Sequence, residues 1–194
     1  MRFIPLFAAA AAAVMAAWLP QSLNAQSDDV FAFIPVGGRT LLANIIASHP
    51  PADEVKALAT GKHTRDEWVS YLKAHATAIT ALQSLTDKEL LTLADYLSFN
   101  MPLPANQMPA DASKLPMDGR DFALEKCMGC HVITVVVTQS RTKEHWLGTW
   151  HKPSHMGIKL TEAQREQLAS YLVLNAGIPI DQVPEELRAG GASY

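Results

Sequence analysis

The sequence predicts an all-α chain built as two small helical units in tandem. Three observations carry that expectation. Apolar residues recur at helical spacing nearly throughout the chain. The stretch LTDKELLTLADYLSFNMPLP at 85–104 is echoed by LTEAQREQLASYLVLNAGIP at 160–179, with eight of twenty positions identical. Two further matches fall in the same order. Thr64-Arg65-Asp66-Glu67-Trp68 parallels Thr142-Lys143-Glu144-His145-Trp146, and Gly38-Arg39 parallels Gly119-Arg120. Three ordered matches read as an internal duplication.

The elements follow in chain order. Arg2, an alanine-rich apolar stretch over 3–19, the break at Pro20-Gln21 and the small residue Ala25 read as a secretory signal peptide over 1–25. Helices are expected at 40–48, 53–58, 65–75 and 87–99, within a first unit spanning 26–104. A Pro- and Met-rich linker over 105–117 follows. The second unit, 118–180, is expected to hold helices at 120–128, 143–150 and 162–175, and 181–194 is a tail. Thr86 and Thr161 stand at N-cap positions with acidic first turns, and each terminal helix should stop shortly before its proline. The run 132–138 is strand-like, or else a buried loop.

Composition bounds the chemistry. At 194 residues, 48% hydrophobic and 18% charged, the chain is neither disordered nor collagen-like, and two cysteines are too few for a disulfide scaffold. Formal charge is −3, and removing residues 1–25 with their single cation leaves −4 over 169 residues. No basic stripe suggests nucleic acid as a partner. A net negative surface favours protein partners with a positive patch. No window after the leader approaches 18 uninterrupted apolar residues, so no stable membrane insertion is expected after cleavage.

Both cysteines fall in Cys127-Met128-Gly129-Cys130-His131, a C-x-x-C-H sequence. This is the attachment signature of haem c. Two thiols must reach two vinyl groups of one porphyrin, and the next residue must place an imidazole nitrogen on the iron. Gly129 keeps the backbone close to the ring. A thioredoxin-like pair would want a βαβ context, half a zinc site wants further ligands, and a disulfide over so short a loop constrains little. Behind an export signal, one covalent haem c with His131 as proximal iron ligand is the expectation. A methionine or histidine from a downstream loop completes such a site. Met156 is the first candidate, with His151 and His155 as alternatives and His145, an upstream ligand or an open site behind them. Trp146, Trp150, Tyr171 and Leu172 are expected to pack around the porphyrin or the cysteine helix. Met101, Met108 and Met117 read as gap-fillers.

Aligning Gly38-Arg39 with Gly119-Arg120 sets Ile46 opposite Cys127, His49 opposite Cys130 and Pro50 opposite His131. The first unit therefore lacks the motif and reads as a degenerate cytochrome c-like domain kept for docking or for covering the haem. Its His49, His63 and His75 read as surface residues.

From Cys127 onward the sequence resembles the haem-binding domain family of quinohemoprotein amine dehydrogenase. The likeness lies in CMGCH, Gln139-Ser140-Arg141-Thr142, the Trp146 region, Gly157, Leu160-Thr161 and the Tyr171-Leu172 helix ending near Gly177, about fifty residues. Pro153 stands where that family's pattern suggests a methionine. The resemblance implies two cytochrome modules side by side, here with one haem lost, and a catalytic quinone residing elsewhere.

The expected function is therefore electron transfer rather than catalysis. The chain reads as a periplasmic mono-haem c-type cytochrome, carrying single electrons from a periplasmic dehydrogenase to another cytochrome or a terminal oxidase. The alternatives are a haem-c subunit of a fixed dehydrogenase complex, or a peroxidase-like haem enzyme with an open distal site.

Overall fold

The computed structural model describes residues 30–105 and 114–188. The signal peptide over 1–25, Met108 and most of the linker, and the last six residues lie outside the described residues. Among the described residues the chain is all-α, without a strand. No helix there is long and apolar enough to cross a membrane.

The first half holds α1 (Gly38–Ala47), α2 (Ala52–Thr60), α3 (Arg65–Ala74), a 3-10 turn at Thr80–Ser84, and α4 (Asp87–Asn100). The second holds α5 (Gly119–Phe122), α6 (Thr134–Val137), α7 (Lys143–Trp150), a 3-10 turn at Pro153–His155, and α8 (Glu162–Asn175). Two short 3-10 turns, Ile180–Gln182 and Glu185–Leu187, close the described chain. The expected helices at 143–150 and 162–175 appear with those bounds. Helix α1 starts two residues earlier than expected, at Gly38.

Capping explains why the starts are sharp. Thr64, Thr86 and Thr161 each accept the N–H of the third helical residue, while Glu67, Glu89 and Gln164 reach back to the cap N–H. Thr142 caps α7 in the same way, without a returning bond, because His145 stands where a Glu would be.

Two expectations need correction. The strand-like run 132–138 is helical at its centre: Val137 N–H bonds Ile133 O at 3.0 Å, and Val136 N–H bonds the same carbonyl at 2.8 Å. Strand propensity loses here because Ile133, Val136 and Val137, spaced three and four apart, bury one face in the core. The expected helix over 120–128 keeps α geometry only to Phe122 and continues as a π-turn, Ala123–Cys127.

The buried hydrophobics form two clusters. One gathers α1 to α4 around Trp68, Leu72, Leu93 and Leu97; the other gathers α5 to α8 around Phe122, Trp146, Leu168 and Leu172. The matched positions occupy matched places. Helix α1 crosses α4 where a Cβ on Gly38 would stand 2.2 Å from Tyr96 Cβ, and α5 crosses α8 where a Cβ on Gly119 would stand 2.2 Å from Tyr171 Cβ. Trp68 and Trp146 are both buried, each with an indole N–H that meets no acceptor among the described residues.

Helices α4 and α8 pack side by side between the clusters. Asn175 donates to Thr92 Oγ1 at 3.0 Å in the buried seam, and Arg39 N–H donates to Asp118 at 2.8 Å. The segments that precede α1 and α5 each enter the opposite cluster. Ile34 packs in the second and Leu115 in the first. The C-terminal stretch joins the second cluster through Ile178, Val183 and Leu187, and Ile178 N–H bonds Val137 O at 3.0 Å.

Candidate functional site

Helix α5 and its π-turn end at Cys127, so the C-x-x-C-H sequence leaves the second cluster at a fixed point. Cys127 is buried and Cys130 exposed, both as free thiols. Burial pushes the Cys127 thiol up to about 11, so it carries no thiolate at neutral pH. A dithiol redox pair depends on a lowered thiol pKa; Cys127 has the opposite environment.

Cys127, Cys130 and His131 line one cavity of about 320 Å³. That is within the usual range of ligand clefts, roughly 300–1,000 Å³. Val135, Val136, Trp146, Trp150 and Ile158 supply its apolar wall. The two indoles stack, with centroids 6.2 Å apart and 18° between planes. The charged lining is Lys126, Arg141 and Lys152, with no carboxylate among the lining residues. Arg141 lies over the Trp146 ring at 5.0 Å and donates to Thr149 Oγ1 at 3.0 Å. Lys126 is itself ion-paired with Glu125, so the cationic character of the lining rests mainly on Arg141 and Lys152.

His131 is exposed at the cavity mouth, and its Nδ1 lies 3.4 Å from Val132 O. That carbonyl can only accept, so the contact suits the tautomer with the proton on Nδ1, in which Nε2 is available as a ligand. A Cβ on Gly129 would meet no protein atom within 4 Å, so nothing in the protein itself demands a glycine there.

The downstream candidates separate. His155 lines the cavity. Met156 is 70% exposed and is not among the lining residues, nor are His151 and His145. Trp146 and Trp150 line the cavity as well as the core, whereas Tyr171 and Leu172 serve packing in the second cluster. Met101 is buried in the first cluster and Met117 packs against the second, so neither lines the cavity.

In the first half, Ile46 packs against the first cluster where Cys127 stands in the second, and His49 is exposed at φ 55°. His63 stacks on Tyr71 at 6.2 Å, and His75 binds Glu54 at 2.8 Å. Among the described residues no three His, Cys, Asp or Glu side chains are gathered to hold a metal ion by themselves.

Sequence reasoning missed Arg165. Its guanidinium donates to Trp150 O at 3.2 Å and to Ile158 O at 3.0 Å, clamping both ends of the loop that carries His155. A lone arginine on an amphipathic helix gives no sequence signal of such a role.

The donor set suits a haem c: a close thiol pair, an imidazole with Nε2 available, stacked indoles, aliphatic walls, and cations that complement the two carboxylates such a group carries. Comparison with protein-family models, with curated proteins and with solved structures finds no match to the chain.

Proposed function

We propose that the chain is an exported mono-haem c-type cytochrome that carries single electrons. The observation behind this reading is the meeting of Cys127, Cys130 and His131 at the edge of an apolar cavity with a cationic lining. Cys127 and Cys130 would hold the group through thioether bonds, and His131 would ligate the iron. When bound, haem supplies one-electron chemistry.

What the chain's own residues contribute follows from their placement. Val135, Val136, Trp146, Trp150 and Ile158 exclude water from the ring. Arg141 and Lys152 would offset the negative charge of its carboxylates, Lys126 being paired with Glu125. Helix α5 and the π-turn fix Cys127 against the core, so the attachment point does not drift.

The fold within this reading is a tandem pair of cytochrome c-like domains, 26–104 and 118–180, the first without a haem motif. The paired Gly38–Tyr96 and Gly119–Tyr171 crossings and the repeated capping boxes support it. The place of action is the periplasm, with residues 1–25 as export signal. A periplasmic dehydrogenase would act as donor and another cytochrome or a terminal oxidase as acceptor.

The test is expression of the full chain in a bacterium carrying a haem c maturation system. The expected result is haem that stays with the polypeptide under denaturing conditions and gives the pyridine haemochrome spectrum of two thioether bonds. Cys127→Ala with Cys130→Ala should abolish it. Haem-free wild-type protein in a maturation-competent periplasm overturns the reading.

A further inference from the structure

We infer that His155 is the second axial ligand, making the site bis-histidine. The inference rests on the haem c reading above and concerns which loop residue completes it. Of the downstream candidates, one imidazole lines the cavity. His155 does so alongside His131. It is half-buried, whereas Lys152, Pro153, Ser154, Met156 and Gly157 around it are exposed.

The turn that presents it is defined by its own bonds. Pro153 opens a 3-10 turn and its ring pre-sets φ there. His155 N–H bonds Lys152 O at 2.8 Å, and Ile158 N–H bonds His155 O at 3.1 Å. Ile158 packs against the second cluster, and Arg165 holds the carbonyls of Trp150 and Ile158. With both ends of 150–158 fixed, exchanging Met156 for His155 at the cavity would require rotating the turn and breaking these bonds. Ser154 Oγ lies 3.0 Å from His155 Nδ1. A serine hydroxyl can donate or accept, so this contact engages Nδ1 in either tautomer and keeps Nε2 as the ring nitrogen turned to other partners. Both imidazoles of the cavity thus have Nδ1 engaged by a protein group and Nε2 outside these contacts, the arrangement in which an outer partner fixes ring orientation at a metal.

Two imidazoles give a lower potential than a thioether and an imidazole. A donor to this site must therefore be correspondingly reducing.

The test uses the full chain carrying covalent haem. Ferric electron paramagnetic resonance and near-infrared circular dichroism of the wild type should show a low-spin, bis-imidazole centre. His155→Ala should retain covalent haem, turn high-spin, and return to low-spin on adding free imidazole. Met156→Leu and His151→Ala should leave the spectrum unchanged. A wild-type methionine charge-transfer band that vanishes in Met156→Leu overturns the inference. So does a low-spin signal lost in His151→Ala but kept in His155→Ala, or a wild-type centre that is already high-spin. Should His155→Ala fail to accumulate, His155→Met decides instead: it should trade the bis-imidazole signature for a methionine charge-transfer band, and an unchanged bis-imidazole signature overturns the inference. Absence of covalent haem in the wild type defeats the underlying reading instead, so the two failures are distinguishable.

Discussion

Gly119 and Tyr171 cross with no room for a side chain between them: a Cβ on Gly119 would stand 2.2 Å from Tyr171 Cβ and 3.1 Å from Gln167 O. The neighbours are a side-chain stem and a backbone carbonyl, neither of which can swing away. Gly119→Ala should therefore separate α5 from α8 and cost about 1–3 kcal/mol, as overpacking does. Any gain in helix propensity, at most about 1 kcal/mol, does not offset it. Gly38→Ala should behave alike, since its Cβ would stand 2.2 Å from Tyr96 Cβ. Urea unfolding measures both, and a neutral Gly119→Ala would show that the crossing is looser than it stands here.

The same two tyrosines tie the halves together. Tyr171 donates its hydroxyl to Pro35 O, three residues before α1, and Tyr96 donates to Pro116 O at 3.0 Å, three residues before α5. Each half thus holds the lead-in segment of the other. Tyr171→Phe should cost about 1–2 kcal/mol, the usual penalty for stranding a partly buried acceptor. Hydrogen exchange should quicken at Phe31–Ile34 more than at α8 itself. Uniform quickening across the second half would argue that Tyr171 acts as general core and not as a tie.

Much of this was legible in the sequence where local chemistry and periodicity agree. Thr161 with Gln164, followed by apolar positions at helical spacing, marks the start of α8 without any tertiary knowledge. The Cys127–His131 spacing marks where the proposed attachment would lie, because the thioether geometry it would need is local. What was illegible depends on distant partners. Ile34 lies in the apolar run 30–36 and Leu115 in a short Pro-flanked segment, and nothing local says which cluster each will enter. The run 132–138 has strand composition, and only burial of one face turned it into α6. Between His155 and Met156 the sequence offers two adjacent ligand types. A turn whose ends are held by Arg165 brings His155 to the cavity lining and leaves Met156 exposed.

The first half carries a pH-sensitive contact of its own. Glu54 accepts from His75 Nδ1 at 2.8 Å and from the Tyr71 hydroxyl at 2.9 Å, while the Tyr71 and His75 rings stack at 4.0 Å. The His75 hydrogen bond, opposed by burial and reinforced by Tyr71, holds the Glu54 carboxyl below the usual carboxylate range. A carboxyl lowered in the folded state binds its proton more readily when unfolded. Its contribution to stability is therefore full above the unfolded pKa, near 4.3 for glutamate, and fades as pH falls through the folded value. Unfolding free energy should decline with acid over that window, and Glu54→Gln should flatten this part of the decline. Equal acid slopes in the two proteins would remove Glu54 from the account.

Arg165 gives the strictest test of how the loop over 151–157 is held. One guanidinium reaches two carbonyls eight residues apart in sequence, Trp150 O and Ile158 O. A planar fork can serve two acceptors at once; a lysine ammonium on a flexible stem cannot hold both in the same geometry. Arg165→Lys should therefore resemble Arg165→Ala, each losing about 1–3 kcal/mol because hydrogen bonds from a charged donor are involved. The loss should be local. Amide exchange at His155 and Ile158 should accelerate, while α8, already capped by Thr161 and Gln164, should keep its protection. If lysine preserves slow exchange in the loop, charge alone suffices and the two-point clamp is not what holds it. If α8 loosens together with the loop, Arg165 acts through the helix, and the position of His155 depends on packing instead of on these two carbonyls.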